Sequence, residues 1–141
     1  MKRYILLIYI VGMIMTFEDV IWGRWSLLST LGGFVAWIAV VIFVYNLGKT
    51  AVRKSEFCFF LTAIVGTAIA SFITAALSSD PEISAVLSVI FLWPIGIPFH
   101  ALGELVSSND EKSAFLLMII PYTVIYLAGL HGIRHNNKSN K

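Results

Sequence analysis

The sequence predicts an all-α integral membrane protein with four transmembrane helices and a Pro/Gly-broken segment that is re-entrant or kinked. The alternative is five transmembrane helices. Of the 141 residues, 58% are hydrophobic and 13% charged, whereas soluble domains average about 45–50% and about 25%. A chain this short cannot bury so much apolar surface, because small domains have the least interior for their surface. It also contains apolar runs of about 20 residues, the length that crosses a bilayer. We therefore expect a single transmembrane domain over residues 1–141.

The first two apolar runs, residues 4–22 and 27–47, predict a helical hairpin, because the link between them is short. The basic N-terminus and first run resemble a secretory signal. They lack a small-x-small cleavage site, which favours an uncleaved helix. The second run contains Gly32, Gly33 and Ala36. Such a patch of small residues lets another backbone approach closely.

The loop at residues 48–56 is the most basic internal loop of the chain, with Lys49, Arg53 and Lys54 against Glu56. Loops rich in Lys and Arg stay on the cytoplasmic side of a membrane. The simplest interpretation is a topology signal that contacts lipid headgroups. The alternative is a docking loop for a cytosolic protein partner.

The third run, residues 57–77, carries small residues at helical spacing. Lipid provides no hydrophobic force between helices, so close backbone contact has to supply the energy of association. We expect this helix to be the most buried, either inside the protomer or at an interface between copies in a homo-oligomer. The predicted helix-packing or oligomer face consists of Ala63, Gly66, Thr67, Ala70, Ser71, Thr74 and Ala75.

The fourth run, residues 83–106, is broken at its centre by Pro94, Gly96 and Pro98. Each proline removes a backbone donor and disfavours helix in the residue before it. Backbone freed in this way is tolerated at membrane depth only where protein or a water-filled cavity satisfies it. This segment therefore either turns back or crosses the membrane as a kinked helix.

The last run, residues 114–130, contains Pro121, which predicts a kink. The tail at residues 131–141 is polar and basic, and we expect it to fray. It contains His131 and His135, which are one helical turn apart and suit the negative end of a helix dipole. A metal or pH-sensing role for this pair is the alternative.

The distribution of basic residues favours the turned-back segment. Four crossings place eight basic residues on the N-terminal side and two on the other side, whereas five crossings place six and four. The more asymmetric division agrees better with the positive-inside tendency. The eight residues are Lys2, Arg3, Lys49, Arg53, Lys54, Arg134, Lys138 and Lys141, and the other two are Arg24 and Lys112.

The broken segment also holds His100 and Glu104, whose side chains meet on one face of a helix. Ionisable groups inside a membrane suggest a functional site, and histidine titrates near neutral pH. A proton or pH-sensing pair, two metal ligands, and a solvated helix end are the open interpretations. Two ligands are too few for a zinc site. The candidate gating turn beside the pair consists of Trp93, Pro94, Gly96 and Pro98.

No catalytic motif, phosphate-binding loop or metal cluster is visible in the sequence, so we expect no enzyme activity, cofactor or metal. The single cysteine, Cys58, lies in an apolar run and rules out an intrachain disulfide. A net charge of +2 is too small to predict nucleic-acid binding.

The expected function is that of a small non-enzymatic multi-pass protein of the bacterial inner (plasma) membrane. It would be a homo-oligomeric sensor, anchor or regulatory subunit that acts with a cytosolic protein partner, in a setting such as bacterial stress or phage defence. An oligomeric channel or holin-like pore is the alternative, and a small transporter comes third.

A reporter fused after Lys141 tests the topology. Because the charge count places the N-terminus and the C-terminus together in the cytoplasm, a reporter active only in the cytoplasm should be active there. The same reporter fused after Ser79, on the opposite side, is the control. Activity only for a reporter that requires export would establish five crossings.

Overall fold

The computed structural model describes residues 2–22, 27–77, 117 and 119–139, and within these ranges it contains helices and no strand. The all-α prediction is therefore confirmed for the described part of the chain. The described residues form four helices: α1 Lys2–Trp22, α2 Leu27–Thr50, α3 Lys54–Leu77 and α4 Ile119–Ser139.

The helices α2 and α3 extend into the loop predicted at residues 48–56, and only residues 51–53 separate them. The Thr50 hydroxyl donates to the Asn46 carbonyl oxygen at 2.9 Å, and the Ala51 amide donates to the Gly48 carbonyl at 3.4 Å. The Thr50 hydroxyl also lies 3.4 Å from the Leu47 carbonyl oxygen. The carbonyls of Leu47 and Gly48 are among the four that a helix C-terminus leaves without intrahelical partners. The polar residues after the apolar run thus continue the helix.

The end of α4 corrects the expectation that the tail frays, because the helix continues to Ser139. The ring of His131 stacks on Tyr45 of α2, with ring centroids 5.9 Å apart. The Asn136 side-chain amide donates to the Ala51 carbonyl at 3.3 Å. Contacts with α2 therefore hold a polar segment that sequence alone predicts to be loose. Pro121 is the third residue of α4 as described, and the kink expected there stays a prediction.

The directions of the helices follow from which residues lie side by side. Along α2 and α4 the residue numbers rise together, from the Trp37–Pro121 hydrogen bond to the one between Ala51 and Asn136, so these helices run parallel. The helix α3 runs antiparallel to α4, because Thr62 bonds Tyr126 whereas Phe72 packs on Tyr122.

The helix α1 runs antiparallel to α2, since Gly12 lies beside Gly32 and Ala36 whereas Ile5 and Phe43 line one groove. The predicted hairpin and the predicted contact at the small patch of α2 are both confirmed. The start of α1 therefore lies at the same end of the bundle as the ends of α2 and α4.

The two parallel helices form the centre of the described structure. The helix α1 packs mainly on α2, α3 packs on α4, and α2 packs on α4. Between α3 and α4 lies the main apolar cluster, to which α2 contributes Val44. The cluster consists of Leu61, Val65, Ala68, Phe72 and Tyr122. Among the described residues α3 lies at the edge and buries one face, so within this part of the chain it is less buried than α2.

Glycines bring α2 and α4 into direct backbone contact. A methyl group added at Gly132 would collide with the Tyr45 carbonyl oxygen and would lie 2.9 Å from the Lys49 amide nitrogen. A methyl group at Gly48 would likewise meet the Gly129 carbonyl oxygen. Neither collision can be relieved by a rotamer change, because the opposing atoms belong to the main chain.

Large apolar side chains are exposed on all four helices. Leu6 of α1 is 59% exposed, Phe59 of α3 70% and Leu127 of α4 56%. Two helical stretches, Thr30–Thr50 and Lys54–Thr74, are long and apolar enough to cross a membrane. By length and composition alone this is a weak indication, because a core helix or a signal sequence passes the same test.

The Gly132→Ala substitution should destabilise the fold. Overpacking of this kind costs about 1–3 kcal/mol, and a helix shift that relieves it would also separate Tyr45 from His131. Unfolding of the purified protein in detergent, followed by circular dichroism, measures the loss. The control is Val35→Leu on α2, which adds bulk at an outward-facing position that is 45% exposed. This control should change the stability by no more than about 0.5 kcal/mol. Equal effects of the two variants would contradict the close α2–α4 contact.

Candidate functional site

Every charged side chain whose burial is described lies at one end of the bundle. This end is formed by the start of α1, the ends of α2 and α4, and the link from α2 to α3. We call it the basic end, because five of its side chains are Lys or Arg and one is acidic. The basic residues are Arg3, Lys49, Arg53, Lys54 and Arg134, and the acidic residue is Glu56.

The predicted docking loop is divided between two helix ends and a short link. Lys49 is exposed in the last turn of α2, and Lys54 is half-buried as the first residue of α3. Arg53 pairs with Glu56 at 3.0 Å, and both side chains are more than half exposed. An ion pair this exposed contributes little to stability. Since Glu56 pairs with Arg53, the charge of Lys49 at the end of α2 is not part of this ion pair.

A groove of about 570 Å³ lies between α2 and α4 on the surface of the bundle. We call it the α2–α4 groove. One part of it is apolar, and the part near the basic end is aromatic and charged. Its walls are Val41, Ile42, Tyr45, Val124, Leu127, Ala128, Leu130, His131 and Arg134.

Sequence reasoning missed this groove, although its α4 wall has a detectable pattern. Val124, Leu127, His131 and Arg134 recur at spacings of three and four residues, which places them on one face of a helix. Two of these residues, His131 and Arg134, lie in the tail, for which the sequence predicts no stable helix. A helical spacing that extends into the tail is therefore not considered from sequence alone. The contribution of α2 is not detectable locally, since it depends on which helices pair.

The two histidines of the tail differ in their contacts, although both are exposed. His131 stacks on Tyr45 in the groove, and His135 lies one turn further on. Among the described residues no group of three or more His, Cys, Asp or Glu side chains could hold a metal ion. The contact of His131 is therefore an aromatic packing contact in this structure.

The predicted small-residue face of α3 points away from the apolar cluster. The buried residues Leu61, Val65 and Phe72 occupy one side of the helix, and 3.6 residues per turn place most of the small residues on the opposite side. Ser71 is half-buried, and the Ala75 side chain lies outside the described part. The exposed members are Ala63, Gly66, Thr67, Ala70 and Thr74.

The hydroxyl groups of this face bond within α3 itself. Thr67 donates to the Ala63 carbonyl at 2.7 Å, and Ser71 donates to the Thr67 carbonyl at 2.8 Å. Thr74 donates to the Ala70 carbonyl at 2.9 Å. A surface of small side chains with satisfied hydroxyls can face lipid or another helix at little cost.

The candidate sites on the broken segment at residues 83–106 lie outside the described residues. They are the His100–Glu104 pair and the proposed gating turn of Trp93, Pro94, Gly96 and Pro98. The interpretations of these residues remain predictions from the sequence.

Comparison with known proteins identified no relative. No family model, no curated protein and no solved structure matches the chain.

Proposed function

We propose that this chain is a non-enzymatic protein of the bacterial inner membrane that self-associates through α3 and anchors or regulates a cytosolic partner. The observation that carries the proposal is the small-residue face of α3. Among the described residues this face is exposed, opposite the residues that pack on α4.

Embedding in a membrane is supported by the apolar surface. Soluble monomers rarely expose contiguous apolar patches larger than a few hundred Å², whereas here large apolar side chains are exposed on all four helices. The helices α2 and α3 have 24 residues each. At about 1.5 Å per residue each is about 36 Å long, which exceeds the hydrocarbon core of about 30 Å.

Four crossings with both termini in the cytoplasm are the topology that we propose. The alternating directions of α1, α2, α3 and α4 support it, because they bring the start of α1 and the end of α4 to one side. Leu77 and Ile119 then lie together at the other side. The chain between them would have to return to the side from which it started. The basic end suits the cytoplasm, since cytoplasmic segments retain Lys and Arg.

Self-association through α3 follows from the physics of helix contacts in lipid. Small side chains let two backbones approach until dispersion contacts and weak hydrogen bonds hold them. Gly66, with nothing within 4 Å of an added methyl group among the described residues, marks the part of α3 where a second helix can approach most closely. The hydroxyls of Thr67 and Thr74 need no new partner when the face is covered, because they already bond within α3.

An oligomeric pore is the second candidate, favoured by the hydroxyl groups of Thr67 and Thr74 on the same exposed face. If this face lined a channel, these hydroxyls and that of the half-buried Ser71 beside them would contact water and ions. Ion flux through liposomes that contain the purified oligomer distinguishes the two candidates. Conduction that Gly66→Leu abolishes would replace the anchor proposal with the pore.

The Gly66→Leu substitution should weaken self-association without harming the fold. Leucine has a better helix propensity than glycine, and its side chain would keep the second backbone away. We expect the dissociation constant in detergent to rise at least about tenfold, equivalent to about 1.4 kcal/mol. Analytical ultracentrifugation measures it.

The matched control is Val35→Leu, which adds bulk at a lipid-facing position of α2 that is 45% exposed. It should leave the dissociation constant unchanged. A wild-type chain that is monomeric at all concentrations, or a Gly66→Leu variant that associates as tightly as the wild type, would refute the α3 interface.

The double substitution of Arg53→Ala with Lys54→Ala tests docking of a cytosolic partner. If this part of the basic end binds an acidic surface, a protein that co-purifies with the wild type from native membranes should be lost from the variant. Arg3→Ala, at the same end but on α1, should retain that protein. A wild-type chain that co-purifies only with itself would contradict the anchor or regulator proposal.

A further inference from the structure

We propose that the α2–α4 groove is a binding site for an anionic phospholipid of the cytoplasmic leaflet. This inference rests on the proposed membrane embedding and orientation, but it is independent of the α3 interface. The occupant is a membrane lipid, with one acyl chain in the apolar part of the groove and its phosphate at the basic end.

The groove has the same polarity gradient as a phospholipid. Val41, Ile42, Val124 and Leu127 form its apolar part, and Tyr45, His131 and Arg134 form its other end. Tyrosine is enriched at the membrane–water interface because it has an apolar ring and a polar tip. The change from apolar to polar walls would therefore place this end at headgroup level.

The length of the groove matches the depth of one leaflet. The α4 wall runs from Val124 to Arg134, a rise of about 15 Å at 1.5 Å per residue. This is about half of the hydrocarbon core of about 30 Å. A chain that enters from the basic end would reach the bilayer midplane at the far end of the groove.

The charges at the mouth suit a phosphate group. Arg134 is exposed at the end of the groove. The N–H donors of its planar guanidinium are spaced so that two of them can bond two oxygens of a phosphate. Lys49 is exposed one turn beyond Tyr45 on the same face of α2. Among the described side chains, the one acidic group at this end is Glu56, which pairs with Arg53. Neither Lys49 nor Arg134 is therefore neutralised by a described carboxylate.

Backbone contacts fix the two walls of this site. Gly132 packs against Tyr45 and Lys49 of α2, so the Tyr45–His131 stack and Arg134 are held beside the end of α2. Basic pockets between transmembrane helices on the cytoplasmic side are known sites for anionic headgroups. The α2–α4 groove has these properties and also an apolar channel below them.

Native mass spectrometry of the purified full chain, titrated with dioleoyl phosphatidylglycerol or dioleoyl phosphatidylcholine, tests the site. Each nearby Lys or Arg contributes about 1 kcal/mol toward an anionic surface. We expect phosphatidylglycerol to bind at least about tenfold more tightly than phosphatidylcholine. Lys49→Gln combined with Arg134→Gln should reduce this preference to less than about threefold. Arg53→Gln combined with Lys54→Gln, at the same end but away from the groove, should preserve it.

A second variant tests the apolar part without a change in charge. Ala128→Trp should fill the groove and weaken the binding of both lipids at least about tenfold. Val35→Trp, on an exposed part of α2 outside the groove, is its control. Circular dichroism and retention in carbonate-washed membranes verify that each variant folds and inserts.

Three outcomes would overturn the lipid site. The first is equal affinity of the wild type for the two lipids. The second is an equal loss of lipid preference in the Lys49→Gln, Arg134→Gln variant and in its control, the Arg53→Gln, Lys54→Gln variant. The third is a disulfide between two copies of an Ile42→Cys variant in a Cys58→Ser background. The last would identify a second chain as the occupant. Failure of the wild type to remain in carbonate-washed membranes would instead refute the proposed embedding. Loss of lipid preference in a chain that still inserts and self-associates would refute the lipid site alone.

Discussion

The close contact between the backbones of α2 and α4 determines most of the described structure. Gly48 and Gly132 allow this contact because a side chain at either position would collide with main-chain atoms of the other helix. The contact makes the two helices parallel neighbours at one end of the bundle. It also holds α4 in place for α3, since Gly129 of α4 meets Leu61 of α3 on the adjacent side. Without it, neither the helical tail nor the groove would exist in its present form.

The helix α3 shows how two opposite faces can serve different purposes. One face carries large side chains, such as Val65 and Phe72, that fill the space against Tyr122 of α4. The other carries Gly66 and Thr67, whose small side chains project little from the helix, and the Thr67 hydroxyl already bonds within α3. In lipid, burial of apolar surface provides no force for association, so the face with small side chains is the better one for a second helix. This difference in side-chain size between the two faces of α3 is the physical basis of the proposed self-association.

The sequence was sufficient to predict α1, α2 and α3 with their approximate bounds, because runs of apolar residues long enough to cross a bilayer are a strong local signal. The end of α4 was not predicted, since this helix continues to Ser139 whereas the apolar run ends at residue 130. The sequence also predicted a contact at Gly32 and Ala36, where the structure places Gly12. It did not predict that Gly48 and Gly132 bring α2 and α4 into backbone contact, because a glycine at the end of an apolar run usually marks the end of a helix. Which helices pair is a long-range property, and neither the parallel α2–α4 pair nor its groove follows from local pattern.

The helical tail links the proposed topology to the proposed lipid site. In a frayed tail, Arg134 would sample a wide region and would contribute only diffuse positive charge. The contacts of His131 with Tyr45 and of Asn136 with Ala51 hold this segment beside α2 instead. Since these contacts lie at the level where α2 changes from apolar to polar, one membrane surface can meet both helices together. If Arg134 is held at that level, it can bind the headgroup of one lipid molecule. The proposed lipid site therefore differs from the general preference of Lys and Arg for the cytoplasmic side of a membrane.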